Sequence, residues 1–293
     1  MVEKQHVPVM VREVIDGLHI HPDGCYWDGT FGRGGHASKI LSLLSSRGAL
    51  FSSDRDVSAQ VASKRFEGDS RFTFFLGPFD EVVERVPDHL NGVLLDLGVS
   101  TPQLSDAERG FSFNLDGPLD MRMDQSQTTT AADLVNSLPE TELADLIFNY
   151  GEERLSRKIA RRIVEARHLG AIEKTGQLED ICFKAYPRRG HHRIHPATRT
   201  FQALRIAVNG ELEQLENALP KVLKKLAHGG RCVVMSFHSL EDRIVKHTFK
   251  RFAKDEDYRI LTKKPLRPGE EEIAENSASR STKLRVIEAN RHA

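Results

Sequence analysis

Short apolar segments alternate with amphipathic segments over the first hundred residues of the chain. Four apolar runs have the length and composition of buried strands: residues 25–27, 49–51, 72–76 and 92–95. Residues 36–44 and 57–66 lie between the first three runs and carry apolar side chains at helical spacing. Because short buried strands separated by helices form βαβ units, this region predicts a parallel sheet.

This alternation stops after Asp96. Residues 105–207 contain no run of β-branched residues and show the spacing of amphipathic helices instead. Strand patterns return at residues 231–237 and 284–287, after a helical stretch in which Pro220 predicts a kink or a break. The sequence therefore predicts an α/β fold with an inserted all-helical domain. The expected domains are a Rossmann-like domain of residues 1–104 and 208–293 and an inserted helical domain of residues 105–207.

Charge is distributed unevenly along a chain whose net charge is zero. Residues 1–150 carry a net charge of −11, and residues 151–293 carry +11. A zero total argues against a nucleic-acid partner, whereas a basic second half indicates a nucleic-acid face. Residues 183–199 are rich in cations and contain no acid, so they form either an RNA-binding segment or a solvated basic loop. The candidate RNA-binding residues there are Arg188, Arg189, Arg193, His195 and Arg199.

The sequence shows no signal for export, membrane insertion or metal binding. No charged segment followed by an apolar stretch opens the chain, and no apolar run approaches the ~20 residues of a membrane span. The cysteines, Cys25, Cys182 and Cys232, lie far apart, and no Cys/His spacing typical of zinc is present. We therefore expect a cytoplasmic protein with neither a membrane partner nor a metal ion.

A glycine-rich segment, DGTFGRGGH at residues 28–36, follows the first predicted strand and opens a helix. From Gly32 onward it satisfies the GxGxxG/A pattern, in which glycines allow a tight turn and a close approach by a ligand. Asp54 ends the next strand, where an acid binds ribose hydroxyls or, alternatively, caps the following helix. This combination predicts a nucleoside-bearing cofactor, with NAD and S-adenosylmethionine as candidates.

Two acids at strand ends refine this prediction. Asp28 favours S-adenosylmethionine, because an acid at the mouth of the loop repels a pyrophosphate and attracts an ammonium group. Asp96 ends the fourth strand, at the carboxyl edge where open α/β sheets bind ligands. It would orient an acceptor amine and help to receive its proton, or it would serve cofactor binding alone.

Residues 236–239 end the fifth strand on the same edge. Phe237 would stack on a flipped base, or it is a residue of the hydrophobic core. His238 would hydrogen-bond to the edge of the base or to a phosphate, and it is the second candidate catalytic residue. Ser239 is expected to cap the next helix, because an acid lies three residues further on.

Seven blocks stand out in chain order. They are DGTFGRGGH at 28–36, DLGVSTPQL at 96–104, RGFSF at 109–113, GPLDMRM at 117–123, GEER at 151–154, HPATRTFQALRIAVNGEL at 195–212 and GGRCVVMSFHSLEDRIVK at 229–246. All seven resemble the bacterial ribosomal RNA small-subunit methyltransferase H family, also called MraW. Ser53 before Asp54 and Thr101 before Pro102 are variations on the family pattern.

The resemblance implies a class I, Rossmann-like, S-adenosylmethionine-dependent methyltransferase with a helical insertion. Such an enzyme methylates the N4 amine of a cytidine in the decoding region of 16S rRNA, in the small ribosomal subunit, and a homodimer is compatible with the family. The resemblance also implies a set of cofactor contacts. Gly34, Gly35 and His36 would hold the methionine end, Asp54 the ribose and Phe79 the adenine, while Asp96 and Gln103 would face the acceptor.

Two other functions stay open on the residues alone. An NAD(P)-binding oxidoreductase would use the same glycine loop. A non-catalytic, RNA-binding ribosome-assembly factor would use the basic segments without transferring a methyl group.

Overall fold

The chain forms two compact units, a sheet unit and a helical unit. The computed structural model describes residues 8–187, 194–254 and 257–290. The helical unit comprises residues 99–211, and the sheet unit comprises the residues before and after it. The helical unit is a few residues wider at each end than the insertion expected at residues 105–207.

The sheet unit is organised around seven strands. They are β1 Cys25–Asp28, β2 Ala49–Asp54, β3 Phe72–Leu76, β4 Leu90–Asp96, β5 Leu226–Ser236, β6 Tyr258–Ile260 and β7 Lys283–Ala289. The order across the sheet is β3-β2-β1-β4-β5-β7-β6. Strands β1 to β5 are parallel, whereas β7 is antiparallel to both of its neighbours. The carboxyl ends of β1, β2, β4 and β5 therefore lie along one edge of the sheet.

Thirteen α-helices are present in the described residues. They are α1 Val11–Leu18, α2 Gly35–Leu41, α3 Val57–Ser63, α4 Phe79–Val82, α5 Thr101–Ser105, α6 Ala131–Ser137, α7 Glu140–Gly151, α8 Ser156–Arg167, α9 Thr175–Ala185, α10 Thr198–Asn209, α11 Glu211–Lys224, α12 Ser239–Phe252 and α13 Glu270–Glu275.

Side chains along β4 alternate between two hydrophobic cores, because successive residues of a strand point to opposite faces. Val93 and Leu95 belong to the core formed with α4, α11 and α12. Leu94 belongs to the core formed with α1, α2 and α3. Helices cover both faces of the sheet, which explains why the strands read as continuous apolar runs in the sequence.

Helices α5 to α10 belong to the helical unit, which has a hydrophobic core of its own. Leu143 and Ile147 of α7, Ile163 of α8 and Leu204 of α10 are fully buried in it. The described residues of this unit contain no strand, apart from an isolated bridge between Pro118 and Lys174.

A buried polar network fixes the loop at residues 121–123 of the helical unit. The side chain of Asn209 accepts a hydrogen bond from the Met123 amide at 2.8 Å and donates one to the Met121 carbonyl at 2.7 Å. The Arg109 guanidinium donates to the carbonyls of Arg122 and Met123 at 2.9 and 3.0 Å. These bonds hold Met121 at a φ of 64°, a left-handed conformation that a side chain other than glycine disfavours.

Two elements differ from the sequence-based expectation. Helix α11 is not broken at Pro220, because it buries Leu219, Val222 and Leu223 and this burial offsets the missing proline N–H; the kink stays a prediction. Strand β6 is an addition to the expected strands, since three residues are too short to show an alternating pattern. It is recognised by its antiparallel pairing with β7.

Candidate active site

Three carboxylates mark the carboxyl ends of neighbouring parallel strands. Asp28 is the last residue of β1, Asp54 the last of β2 and Asp96 the last of β4. The apolar runs in the sequence end on these same residues, so each acid lies where its strand leaves the core. The predicted strand ends at these three acids are confirmed, and the parallel pairing of the strands places all three on one edge of the sheet.

The surroundings of Asp28 and Asp96 raise the pKa of both carboxyl groups. Burial raises the pKa of Asp28 to about 7, and the neighbouring charge of Asp54 adds to the effect. Burial raises the pKa of Asp96 to about 8, with further contributions from the charges of Asp28 and Glu241. The backbone amides that would stabilise the ionised forms are few: Asp28 Oδ1 accepts one from Thr30 at 3.2 Å.

One oxygen of each acid accepts no hydrogen bond from any residue that the structure describes. These atoms are Oδ2 of Asp28 and Oδ1 of Asp96, and both are inaccessible to solvent. A buried polar oxygen without a donor is unfavourable unless a ligand supplies the donor. Two such oxygens on one sheet edge fit a cationic group with several N–H donors.

Asp54 closes the glycine loop as well as ending β2. Its Oδ2 accepts a hydrogen bond from the Gly32 amide at 2.7 Å, and its Oδ1 accepts one from the Asp56 amide at 2.9 Å. Each carboxylate oxygen has a second lone pair for a ligand hydroxyl. The helix cap proposed as the alternative role of Asp54 belongs instead to Asp56, whose side chain accepts from the Ser58 amide.

The glycines of the loop are required for different structural reasons. Gly32 has a φ of 53°, and a Cβ built on it would meet nothing within 4 Å, so the main chain there faces open space. A Cβ on Gly34 would lie 2.5 Å from the Phe31 ring, and one on Gly35 would lie 2.2 Å from Pro8. Gly32 is therefore the position where a ligand can approach the main chain, whereas Gly34 and Gly35 are required by packing.

His36 and Phe79 border the carboxylates. His36 is buried in the first turn of α2, and its Nε2 lies 3.6 Å from Oδ2 of Asp96. Phe79 is half-buried at the start of α4, and its Cβ lies 3.5 Å from the position of a Cβ built on Gly29. Both predicted contacts thus lie beside the glycine loop or the strand ends.

The turn after β5 brings Phe237 and His238 to the same edge, and it is held by an acid that sequence reasoning missed. Oε2 of Glu241 accepts hydrogen bonds from the amides of Phe237 at 2.7 Å and His238 at 3.3 Å. Oε1 of Glu241 lies 3.2 Å from Nε2 of His238, and both side chains are buried. The sequence signal for this role is the acid at the third position after His238.

The prediction that Ser239 caps α12 is wrong. The capping residue is His238, whose Nδ1 accepts from the Glu241 amide at 3.5 Å, and Ser239 is the first residue of the helix. A capping role for His238 does not exclude contact with a ligand, but it restricts the imidazole to one orientation. Phe237 packs against the hydrophobic core that contains Leu94, in agreement with the alternative in which it is a core residue.

Other predicted residues belong to the helical unit. Oε1 of Gln103 accepts a hydrogen bond from the Ser100 amide at 2.8 Å, in a capping box at the start of α5. His195 stacks on Phe113 with ring centroids 4.5 Å apart, and Arg199 donates to the Glu152 carbonyl at 3.1 Å. Arg188, Arg189 and Arg193 lie outside the described residues.

The strand order and the acidic edge together define a class of enzyme. The order β3-β2-β1-β4-β5 is that of nucleotide-binding α/β folds, and an antiparallel β7 beside β5 is the arrangement of class I methyltransferases. Methyltransferases of this class use S-adenosylmethionine, whose positive charges suit buried carboxylates better than a pyrophosphate does.

The chain belongs to the MraW methylase family, which it matches over residues 3–290. The predicted family, fold class and cofactor are thereby confirmed, and membership in a methylase family rules against the oxidoreductase.

Two relatives carry the name ribosomal RNA small subunit methyltransferase H. The protein from Coxiella burnetii (strain RSA 331 / Henzerling II) is 47% identical over 302 residues, which cover 97% of this chain and 98% of the relative. The one from Nitrosococcus oceani is 47% identical over 304 residues, with 97% and 96% covered. Among solved structures, a putative rRNA methylase from Clostridium thermocellum aligns with a TM-score of 0.48 and 11% identity, over 98% of this chain and 99% of that one.

No helix within the described ranges is long and apolar enough to cross a membrane.

Proposed function

We propose that this protein transfers a methyl group from S-adenosylmethionine to the N4 amine of a cytidine in the decoding region of 16S rRNA. The observation that carries the proposal is a pair of solvent-inaccessible carboxylate oxygens, one on buried Asp28 and one on half-buried Asp96, which lack a donor among the described residues. The relatives' name specifies small-subunit rRNA. The choice of the cytidine N4 rests on the family resemblance of the seven sequence blocks.

The cofactor is proposed to lie along the edge formed by β1, β2 and β4. Asp54 would bind the ribose hydroxyls with its second lone pairs, and the half-buried ring of Phe79 would pack on the adenine. Asp28 would accept hydrogen bonds from the ammonium group, with Gly34, Gly35 and His36 at the methionine end. Gln103 stays a predicted contact on the side of the acceptor.

Asp96 is proposed to position the acceptor and to manage its proton. When bound, S-adenosylmethionine supplies an electrophilic methyl group on a sulfonium sulfur. Asp96 accepts a hydrogen bond from the exocyclic amine and so directs the nitrogen lone pair at that methyl group. The nitrogen–carbon bond would form as the methyl–sulfur bond breaks, with the electron pair of the broken bond left on the sulfur of a neutral thioether. Asp96, or a water bound to it, would receive the proton that the nitrogen loses. Without cofactor, a pKa of about 8 keeps Asp96 mostly protonated at neutral pH; the positive charge of the cofactor would favour the ionised form that can accept the amine proton.

The RNA is proposed to meet both the strand edge and the basic segments. Phe237 would stack on the flipped cytosine, and His238, held by Glu241, would hydrogen-bond to the base or to a phosphate. The cations of residues 183–199 would neutralise backbone phosphates. These are Arg188, Arg189, Arg193 and Arg199, together with His195.

Methyl transfer from labelled S-adenosylmethionine, followed by nucleoside mass spectrometry, tests the proposal. Naked 16S rRNA and assembled small subunits are offered as separate substrates. We expect N4-methylcytidine, and we expect Asp96→Asn to reduce the rate about 10²–10⁴-fold while retaining S-adenosylhomocysteine binding. A methyl group on a ring carbon or on the ribose contradicts the N4 assignment. Full function of Asp96→Asn in ribosome assembly, without methyl transfer, favours the assembly factor.

A further inference from the structure

A cavity in the sheet unit shares no residue with the proposed active site. It has a volume of about 340 Å³ and lies among α12, β6 and β7. Three lysines line it: Lys246 and Lys250 from α12, and Lys263 from the segment after β6. The site residues Asp28, Asp54 and Asp96 end strands on the carboxyl edge, whereas this cavity faces the C-terminal half of α12.

The three lysines are not neutralised by the described part of the chain. No carboxylate there lies within 4 Å of Lys246, Lys250 or Lys263, although many other cations of the chain are paired. Lys246 and Lys250 are one helical turn apart, a spacing at which like charges repel by about 0.2–0.5 kcal/mol. An anion between them would remove that repulsion.

The remaining cation of the cavity already has a partner. Nε of Arg285 donates to Oδ1 of Asp242 at 2.7 Å, and Lys283 donates to the other oxygen of Asp242 at 3.0 Å. Two cations thus share one acid, and the pKa of Asp242 is lowered by these hydrogen bonds against the opposing effect of burial. The group of Asp242, Arg285 and Lys283 therefore carries a net positive charge, although it contains an acid.

The floor and wall of the cavity suit an anion with an apolar part. Phe249 is buried beneath the lysines, and Ile260 packs against the same core, so the lysine stems have apolar surface to cover. Oγ1 of Thr262 accepts a hydrogen bond from the Val286 amide at 2.9 Å, which directs its own hydroxyl proton to another acceptor. Lysine ammonium groups and one hydroxyl donor are an appropriate set for phosphate oxygens.

We propose that this cavity, named here the α12 lysine cavity, binds the phosphodiester backbone of the RNA substrate. The proposal rests on the proposed function, since it assigns a second contact for the same RNA. An extended polyanion is favoured over a single small anion because the basic character continues around the cavity. Residues 243–267 contain nine Lys or Arg against three acids, and RNA affinity grows with each phosphate that is neutralised.

The test compares two variants with the same change of charge. Lys246→Gln/Lys250→Gln removes two cations of the cavity and keeps their stems. Lys39→Gln/Lys64→Gln removes two exposed cations, one within α2 and one directly after α3, and these helices cover the opposite face of the sheet. The probe is a single-stranded RNA of about 20 nucleotides from the 16S decoding region, followed by fluorescence anisotropy between about 50 and 200 mM KCl.

We expect the cavity variant to bind this RNA about tenfold more weakly at ~100 mM salt, with a salt slope reduced by about 1–2. The control variant is expected to stay within about twofold of the unaltered protein, and all three should bind S-adenosylhomocysteine equally. Equal RNA affinities and salt slopes for the two variants would overturn the proposal that the α12 lysine cavity binds RNA and would leave the proposed function intact. Failure of the unaltered protein to bind or methylate RNA would overturn both.

Acylation of lysine side chains distinguishes the source of the phosphate. We expect the 16S fragment to protect Lys246, Lys250 and Lys263 from a lysine-reactive reagent, as read by peptide mass spectrometry. Millimolar inorganic phosphate is expected to protect them weakly, because one anion neutralises fewer contacts. Equal protection by inorganic phosphate and by RNA would identify a small-anion site and overturn the RNA assignment.

Discussion

Glu241 accepts a hydrogen bond from the backbone amide of Phe237 at 2.7 Å, so a buried carboxylate four residues away fixes the turn that follows β5. The same carboxylate reaches the amide and the imidazole of His238. Its charge also contributes to the raised pKa of Asp96. Glu241 therefore connects the proposed base-binding turn with the proposed proton acceptor, although it is not itself proposed to touch the substrate.

Glu241→Gln should shift the pH dependence of methyl transfer. The substitution removes a negative charge that raises the pKa of Asp96, so the activity that needs ionised Asp96 should rise at lower pH than in the unaltered protein. The rate at neutral pH is expected to change as well, because the turn loses a charged acceptor worth about 1.5–3 kcal/mol. The measurement is the rate of methyl transfer between pH 5.5 and 9.5 (approximate limits). A profile that falls everywhere without moving would assign Glu241 a purely structural role.

Asp96→Asn should stabilise the protein in the absence of cofactor, and more so at high pH. In the unfolded chain this carboxyl ionises above about pH 3.9, whereas the folded protein keeps it protonated up to about pH 8. Between these values the folded state binds more protons, so ionisable Asp96 lowers the free energy of unfolding as pH rises. Thermal unfolding at pH 5 and pH 8 checks this (both values approximate), and an equal shift at both would contradict it.

Cofactor binding should release protons. A cation beside Asp28 and Asp96 favours their ionised forms and lowers their pKa values from about 7 and about 8. The affinity for S-adenosylmethionine is therefore expected to fall, below the pKa of each acid, by up to about tenfold per pH unit for every acid that must ionise. Calorimetry in two buffers of different ionisation enthalpy measures the proton release. Buffer-independent heats at pH 7 would show that neither acid faces the cation.

Two glycine variants should separate ligand approach from packing. Gly32→Ala costs about 1–2 kcal/mol for its positive φ but meets no neighbouring atom, so the protein should fold and bind the cofactor poorly. Gly35→Ala places a Cβ 2.2 Å from Pro8 and should lower the unfolding free energy instead.

Urea denaturation and cofactor titration on the same samples distinguish these outcomes. Unimpaired cofactor binding by a folded Gly32→Ala protein would contradict the proposed path of the ligand.

Asn209→Ala should destabilise the helical unit. The change leaves the Met123 amide and the Met121 carbonyl without their buried partners, at a cost of about 2–4 kcal/mol in unfolding free energy. Gln202→Ala is the matched control, because its side chain makes one bond to the Tyr150 carbonyl at 3.0 Å and is only half-buried. Similar losses for both variants in urea denaturation would argue against the network at residues 121–123.

The strand edge is largely predictable from the sequence because each parallel strand ends where an apolar run meets an acid. This pattern singles out Asp28, Asp54 and Asp96, and all three terminate strands. Such a signal is strong for a sheet covered on both faces, since the whole strand must be apolar.

Two details of the site are not predictable from the local sequence pattern, namely the residue that caps α12 and the reason for two of the glycines. The sequence around Glu241 resembles an ordinary capping sequence, and it favours Ser239 as the cap because serine is the commoner residue there. Gly34 and Gly35 satisfy a dinucleotide motif, yet their lack of a side chain is explained by Phe31 and Pro8. Tertiary packing decides such cases, and one sequence does not record it.

The interrupted order of the sheet has a consequence for synthesis. β4 ends at Asp96 and its neighbour β5 begins at Leu226, so about 130 residues must be translated before the partner of β4 exists. At roughly 5–20 residues per second, this leaves the backbone edge of β4 unpaired for about 6–26 s. An unpaired apolar edge is prone to aggregation. During this interval, we expect the yield of native protein to depend on binding of a chaperone to the nascent chain or on early burial of the helical core.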